Sequence, residues 1–342
     1  MNDTKPWRVG IVGAGRIVRT GHLPAYAQGR VPVRAICSQT RTTATHLAQQ
    51  FRTEFPGLRV HDSVRELAAD PDVELIDIAT RPDGRLDLIR ELLPYGKPLL
   101  VQKPIAYNPD EANTIAREAA DAGVQIAVNQ NLRWAPAHRR LLSWIRAGEL
   151  GNLAHLAHVH HFNEDIDTWF TRHPGYLFLD HGLHYLDLAR QIAGTEPVAV
   201  SARAGCLPRQ TAQCPLSYSI MLAFDSPLVA SLTLHNQTRA PQAWSSSWYV
   251  NGDKADATAT YATATLHTAS GSVTHAPSGE WVPDGVLGAY TAFTAALDDA
   301  TLPEHDLADH LRTLALASAA LVSANDQGAW QDVPPTYVRS GR

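Results

Sequence analysis

Three side chains of the sequence are of the types that move a proton and hold a developing oxyanion. Lys103 follows the apolar run 98–101 and precedes Pro104, which favours an extended backbone at the lysine. Asp180 and His184 are four residues apart and share one face if their segment is helical. A carboxylate beside an imidazole orients the ring and stabilises its charged form, as proton transfer requires. The sequence therefore suggests Lys103, Asp180 and His184 as a catalytic set, with Lys103 stabilising negative charge.

Each of these residues also has a structural interpretation. A lysine at a strand end is often only solvated, and an acid at a helix start can cap its own helix while the histidine packs in the core. His173 and His181 compete with His184 as the proton acceptor, although His181 lies about a quarter-turn away from the face of Asp180 in an α-helix. The elements that position the three residues must decide between these interpretations.

A glycine turn near the start of the chain predicts a dinucleotide-binding unit. Residues 9–12 are an apolar strand, Gly13 and Gly15 follow it, and a segment able to form a helix comes next. Gly13 would allow the tight turn, and Gly15 would let the backbone approach a phosphate without a Cβ in the way. The third position of the fingerprint is Val18 rather than glycine, so a structural turn is the alternative interpretation.

Strand and helix patterns alternate from this turn to residue 128, which predicts an α/β fold with a doubly wound parallel sheet. After residue 129 the runs of Thr, Ser, Val and aromatic residues are typical of an open, largely antiparallel sheet. We expect a Rossmann domain that binds NAD(P) over 1–128 and a second α/β domain, for substrate binding and oligomerisation, over 129–342. The final helix, 306–324, can pack back on the first domain.

The end of the second strand indicates which nicotinamide cofactor the turn would bind. An NAD-specific unit places a carboxylate there to bind the ribose hydroxyls, whereas this chain has Ser38, Thr40 and Arg41. A 2′-phosphate would be repelled by a carboxylate and attracted by these residues, so we expect NADP, with NAD as the alternative. The expected cofactor-binding residues are Gly13, Gly15, Arg16, Ile17, Ser38, Arg41, Thr80, Pro82, Gln102 and Lys103.

Bulk properties exclude several classes of protein. The 342 residues carry a net charge of −5 without a basic block, so nucleic acid is not an expected partner. The apolar run 314–324 is too short to span a bilayer and the N-terminus has no export signal, so we expect a cytoplasmic protein without a membrane partner. Four histidines lie in 153–162 (His155, His158, His160 and His161), but no thiolate or carboxylate cluster accompanies them and we expect no metal site.

The motifs together resemble the glucose–fructose oxidoreductase, inositol dehydrogenase and MocA family. Residues 102–104 read Gln-Lys-Pro where that family has Glu-Lys-Pro. Residues 180–187 read Asp-His-Gly-Leu-His-Tyr-Leu-Asp, which matches its Asp-x-Gly-x-His-x-x-Asp. Residues 131–136 read Asn-Leu-Arg-Trp-Ala-Pro, close to its Asn-x-Arg-Phe-x-Pro. The order and spacing agree from Val9 to the final helix.

The resemblance implies hydride transfer between a nicotinamide cofactor and a sugar or cyclic polyol, in a homodimer or homotetramer. It implies the same catalytic residues, Lys103, Asp180 and His184. We expect the substrate to contact Lys103, Arg133, Trp134, Trp169, Tyr176 and His184, with the aromatic rings able to stack on a sugar. Two alternatives stay open: a redox-neutral enzyme that cleaves glycosides with a tightly bound cofactor, and a non-catalytic sensor of NAD(P).

The sequence departs from the family pattern at positions close to these residues. Gln102 replaces the usual glutamate and removes a negative charge beside Lys103. Arg85 stands where the family commonly has a histidine, and the glycine cluster before Asp180 is reduced to Gly175. The catalytic lysine, aspartate and histidine are all present.

Overall fold

The computed structural model describes residues 6–336 and divides the chain into two compact units. One unit comprises residues 6–131 and 281–311, and the other comprises 132–280 and 312–335. The first boundary thus falls after residue 131, where the sequence suggested 128. Residues 281–311 group with the first unit, although the sequence suggested a second domain running from 129 to the end of the chain.

The first unit is built on a parallel sheet, as predicted. Within the described residues the sheet has six strands in the order β3-β2-β1-β4-β5-β6, the doubly wound order of dinucleotide-binding folds. The carboxyl ends of β1, β2, β4 and β5 carry the residues expected to bind the cofactor. The strands are β1 (Val9–Val12), β2 (Val33–Cys37), β3 (Arg59–His61), β4 (Leu75–Ile78), β5 (Leu99–Gln102) and β6 (Ile126–Asn129). The helices between them are α1 (Leu23–Gln28), α2 (Arg41–Gln50), α3 (Val64–Ala69), α4 (Arg85–Leu92) and α5 (Pro109–Asp121).

The second unit contains an open sheet in which neighbouring strands are antiparallel except for one parallel pair, β7 with β10. Among the described residues its order is β14-β13-β12-β11-β7-β10-β9-β8-β15, with nine strands. Their bounds are β7 (Leu153–His161), β8 (Pro197–Gly205), β9 (Ser217–Phe224), β10 (Val229–His235), β11 (Ser245–Gly252), β12 (Asp256–Ala259), β13 (Ala264–Thr268), β14 (Gly271–His275) and β15 (Gln331–Asp332). The helices α6 (Pro136–Arg146) and α7 (Leu183–Ala193) belong to this unit. The two sheets confirm the predicted fold class.

Two further helices, α8 (Asp284–Asp298) and α9 (Leu307–Asn325), follow the second sheet in the sequence. Tyr290 and Phe293 of α8 lie in the same buried cluster as Val9 and Tyr26, which explains why this late segment belongs to the first unit. The division between the units falls within α9. In the described part of the chain no helix is both long enough and apolar enough to cross a membrane.

A π-helical turn precedes each of two helices, α1 and α7. One spans Val18–His22 and leads into α1, and the other spans Leu177–His181 and leads into α7. In the first turn the amide of Leu23 donates to the carbonyl of Val18, and in the second the amide of Gly182 donates to Leu177 over 2.9 Å. Such turns change which side chains share a helix face and often occur at functional sites.

Two histidines of β7, His158 and His160, are buried beside aromatic side chains. The ring of His158 is stacked between those of Tyr185 and Trp248, with centroid distances of 4.4 and 4.2 Å. Burial lowers the pKa of His158 well below its usual range. Burial, followed by the influence of His181, lowers the pKa of His160 to about 3. Both rings are therefore uncharged near neutral pH, which fits their aromatic surroundings.

This packing predicts acid sensitivity. The unfolded chain takes up a proton at His160 below its ordinary pKa of about 6.5, whereas the folded chain takes it up only near pH 3, so stability falls as the pH is lowered between these values. The free energy of unfolding is measured with urea from pH 7 to pH 5. It should decrease less steeply in His160→Asn than in wild type, and the two slopes should differ by up to about 1.4 kcal/mol per pH unit. His275→Asn, at an exposed position of the same unit, should keep the wild-type slope. If the free energy of unfolding depended on pH equally in wild type and His160→Asn, His160 would not be the source of the acid sensitivity.

Candidate active site

The turn after β1 has two glycines with different surroundings. Gly13 has a φ of 116°, and a Cβ there would lie 2.9 Å from the carbonyl oxygen of Ala79, so the fold itself requires this glycine. A Cβ on Gly15 would meet no atom within 4 Å. The residue is exposed and immediately precedes the helical segment that starts at Arg16. Open space beside a helix N-terminus fits a pyrophosphate group.

The ten residues expected to bind the cofactor lie at or just beyond the carboxyl ends of four neighbouring strands. Four follow β1 (Gly13, Gly15, Arg16 and Ile17), Ser38 and Arg41 follow β2, Thr80 and Pro82 follow β4, and Gln102 and Lys103 are at the end of β5. Ligands of open parallel sheets bind at this edge. Direct contact of each residue with a cofactor stays a prediction.

Arg41, which was expected to favour a 2′-phosphate, is paired with an acid. Its guanidinium donates a hydrogen bond to the carboxylate of Asp62, and both side chains are more than half exposed (56% and 62%). Exposed ion pairs contribute about 0–1 kcal/mol, so a bound phosphate could compete for the arginine.

Buried hydrogen bonds fix the backbone at Lys103. Asp77 accepts from the Tyr26 hydroxyl (2.7 Å) and from Nδ1 of His22 (2.6 Å). Because a carboxylate only accepts, Nδ1 carries the proton, and Nε2 can accept from the amide nitrogen of Gln102 at 3.2 Å. The Gln102 oxygen in turn accepts from the backbone N–H of Lys103 over 2.8 Å.

Arg85 holds the same loop from the other side. Its guanidinium is fully buried and donates to the carbonyl oxygens of Thr80, Gln102 and, over 2.7 Å, Pro104. It thereby joins the end of β4 to the residues on either side of Lys103. The sequence places this arginine in the first turn of an amphipathic helix, where a solvated side chain is the usual case, so its burial was not foreseeable.

In the second unit, Asp180 and His184 lie on one helical segment. Asp180 is in the π-turn and His184 is in the first turn of α7, and both are about nine-tenths buried. Farther along α7, Asp187 binds Nε of Arg133 over 2.6 Å and accepts from the Thr313 hydroxyl over 2.9 Å. The guanidinium of Arg133 thus helps to anchor α7, and a role for Arg133 in binding substrate stays a prediction.

The predicted aromatic residues differ in exposure. Trp169 is 38% exposed, and its ring makes a T-shaped contact with that of Phe170 at a centroid distance of 5.5 Å. Trp134 is buried, with the guanidinium of Arg139 lying 5.8 Å from its ring. Tyr176 is also buried, and its hydroxyl donates a hydrogen bond to the carboxylate of Glu164.

Sequence reasoning missed a polar network around the second π-turn. Nδ1 of His181 lies 2.9 Å from the Glu164 carboxylate, and its Nε2 lies 3.3 Å from the hydroxyl of Tyr185. The Tyr185 hydroxyl is also 2.9 Å from that of Tyr261 and 3.1 Å from Nδ1 of His160. The four-residue spacing of His181 and Tyr185 was the available signal, since it repeats that of Asp180 and His184. Across residues 6–336, no group of three or more His, Cys, Asp or Glu side chains could hold a metal ion.

Comparisons with known proteins agree with both units. The model of an oxidoreductase family with an NAD-binding Rossmann fold, GFO_IDH_MocA, matches residues 7–130, and the GFO/IDH/MocA C-terminal domain matches residues 138–258. Solved structures of the same fold include a putative myo-inositol dehydrogenase from Sinorhizobium meliloti 1021 (TM-score 0.81, 23% identity, 96% of this chain and 100% of that one). Levoglucosan dehydrogenase in complex with NADH and levoglucosan has a TM-score of 0.83 at 18% identity, over 97% and 100% of the two chains.

Curated relatives are similar at low identity. The uncharacterized oxidoreductase YrbE of Bacillus subtilis is 27% identical over 60% of this chain. The 1,5-anhydro-D-fructose reductase of Ensifer adhaerens is 29% identical over 58% of this chain. The chain spans only 59% and 61% of the lengths of these two relatives. Inositol 2-dehydrogenase of Rhizobium meliloti (strain 1021) is 24% identical over 94% of this chain and 97% of its own length. On the two matched models and the shared fold, the chain belongs to the GFO/IDH/MocA oxidoreductase family.

Proposed function

We propose that the protein is an NADP-dependent oxidoreductase that acts on a sugar-like or cyclic polyol secondary alcohol, or on the corresponding ketone. The observation that carries this proposal is the immobilised loop around Lys103. The Gln102 side chain accepts from the backbone N–H of Lys103 and Arg85 donates to the carbonyl of Pro104, so hydrogen bonds hold the backbone on both sides of the half-buried Lys103. A backbone fixed in this way at a lysine suits a residue that must contact a reacting oxygen.

In the proposed reaction, His184 takes the proton of the substrate hydroxyl during oxidation and returns it during reduction. Asp180 orients the imidazole and stabilises its charged form. Lys103 donates a hydrogen bond to the same substrate oxygen and stabilises the negative charge that develops there. A nicotinamide cofactor, when bound, accepts or supplies the hydride, and the open space at Gly15 accommodates its pyrophosphate.

The substrate class rests on chemistry and on the names of relatives. Inositol 2-dehydrogenase, 1,5-anhydro-D-fructose reductase and levoglucosan dehydrogenase are all named for polyhydroxylated rings. The half-exposed indole of Trp169 supports the same class, because aromatic faces stack on the apolar faces of sugar rings.

The catalytic roles predict a loss of turnover without a loss of cofactor binding. Lys103→Met and His184→Asn should each lower kcat about 100-fold or more on the best polyol substrate, because each removes a group that acts in the transition state. Fluorescence titration of His184→Asn should show NADPH affinity within about 3-fold of wild type, because His184 is not among the expected cofactor-binding residues. Lys254→Met, at an exposed position, is the control and should leave kcat unchanged. Full activity of His184→Asn would exclude it as the proton acceptor.

The two glycines of the turn predict two different defects. Gly13→Ala should lower the free energy of unfolding by about 1–3 kcal/mol, because the new Cβ meets the Ala79 carbonyl at a backbone conformation that alanine rarely adopts. Gly15→Ala should unfold at the wild-type temperature but bind NADPH at least about 10-fold more weakly, because its Cβ occupies the space for phosphate. Wild-type affinity in Gly15→Ala would place the cofactor elsewhere.

The preference for NADP depends on Arg41. Arg41→Ala should weaken NADPH binding about 10-fold and change NADH binding little, since only NADPH carries the 2′-phosphate. Asp62→Ala, which releases the arginine from its ion pair, should instead tighten NADPH binding. The exposed Arg52→Ala variant controls for the overall change in charge. Equal losses for both cofactors in Arg41→Ala would be evidence against the NADP preference.

A further inference from the structure

Glu164 lies outside the proposed catalytic set, and its two carboxylate oxygens have different surroundings. It follows β7, and its backbone N–H donates to the carbonyl of Asn236 over 2.9 Å. One carboxylate oxygen, Oε2, accepts from the Tyr176 hydroxyl and lies 2.9 Å from Nδ1 of His181, which is also 2.8 Å from Nδ2 of Asn236. The other oxygen, Oε1, contacts no hydrogen-bond donor among residues 6–336, and the side chain is 23% exposed. The carboxylate is thus fixed by one oxygen and offers the other to solvent.

This carboxylate is negatively charged near neutral pH. Burial alone would raise the pKa of Glu164, but the charge of His181 and the hydrogen bonds from His181 and Tyr176 lower it to about 2. A hydroxyl group that reached Oε1 would therefore donate to a full negative charge, and such hydrogen bonds are stronger than those to neutral acceptors.

The position of Glu164 is next to the proposed catalytic residues of the same unit. His181 and Tyr185 are in contact across the junction of the π-turn and α7, and Asp180 and His184 each precede one of them by one residue. Glu164 contacts Tyr176 and His181, which flank Asp180 at the two ends of the π-turn. Glu164 therefore lies against the turn that carries Asp180.

The surroundings of Glu164 contain no lysine or arginine contact within the described chain. The partners of its carboxylate are a phenol and an imidazole, and the network continues through Tyr185 to Tyr261 and His160. Burial lowers the pKa of His160, which is therefore uncharged near neutral pH. A substrate hydroxyl can donate a hydrogen bond to Oε1, whereas a substrate carboxylate has no proton to donate and would face the negative charge of Glu164.

We propose that Oε1 of Glu164 is a specificity determinant that accepts a hydrogen bond from a hydroxyl of an uncharged polyol substrate and rejects substrates bearing a carboxylate. The inference rests on the proposed function and extends it by defining the charge of the substrate. Glu164 acts on binding, whereas Lys103 and His184 act on the reacting oxygen.

The test compares uncharged and acidic probes of one shape. Turnover with NADP and binding by ligand-observed NMR in the presence of NADPH are measured for myo-inositol, D-glucose and D-glucuronate. Wild type should favour the uncharged probes. Glu164→Gln should raise KM for the best uncharged probe about 10-fold, change kcat less than about 3-fold, and improve the D-glucuronate to D-glucose ratio about 10-fold. Glu149→Gln, exposed in the same unit, should match wild type.

A second variant covers the case in which Glu164→Gln does not fold. Glu164→Asp keeps the charge but withdraws it by one methylene, so it should raise KM for the uncharged probe while D-glucuronate stays rejected. A folded Glu164→Gln variant with unchanged KM and an unchanged probe ratio would overturn the inference. Wild type that turned over only D-glucuronate would overturn it too, while leaving the proposed function intact. Without turnover of any probe, the proposed function fails, and the NMR binding ratios of wild type and Glu164→Gln decide the inference alone.

Discussion

Buried carboxylates that accept hydrogen bonds fix the arrangement of neighbouring polar residues in both units. A buried charge costs several kcal/mol unless donors surround it, so each of these acids must fix its partners in place. In the first unit Asp77 does this through one oxygen, which accepts from His22 and Tyr26, and in the second unit Asp187 does it through both oxygens, which accept from Arg133 and Thr313. Lys103 follows Gln102, which contacts His22, and His184 lies on the same helix as Asp187.

Glu164 uses the same principle with a different result. Its neighbours satisfy only Oε2, so the carboxylate is both immobilised and accessible. The contrast with Asp187, which is buried and receives donors on both oxygens, separates an anchoring acid from one able to bind a ligand. The exposed Arg41–Asp62 pair is a third case, in which water weakens the interaction enough for a phosphate to replace the acid.

The fold was largely predictable because its signals are local. The glycine turn at Gly13, the alternation of apolar strands with helices, and the change to Thr- and Ser-rich strands are all readable from short windows of sequence. The membership of α8 in the first unit was not predictable, because it depends on Tyr290 and Phe293 packing against residues that are far away in the sequence.

The proposed catalytic residues were found through their spacing and motif. Their supports, such as Arg85, were not found, since an arginine at a helix start gives no sign that three backbone carbonyls will bury it.

Glutamine in place of glutamate at position 102 removes a charge and keeps the hydrogen bond to the backbone of Lys103. A glutamate at this position would still accept the backbone N–H of Lys103 through one oxygen. Its other oxygen, however, would face Nε2 of His22, a nitrogen that has no proton to donate while Nδ1–H is bound to Asp77. A second proton would then be needed on the imidazole or on the glutamate. The amide of Gln102, like that of Asn129 at 3.4 Å, can donate to Nε2 without carrying a charge, while the Gln102 oxygen keeps the bond that positions Lys103. The substitution therefore preserves the placement of the lysine and removes a negative charge from its immediate surroundings.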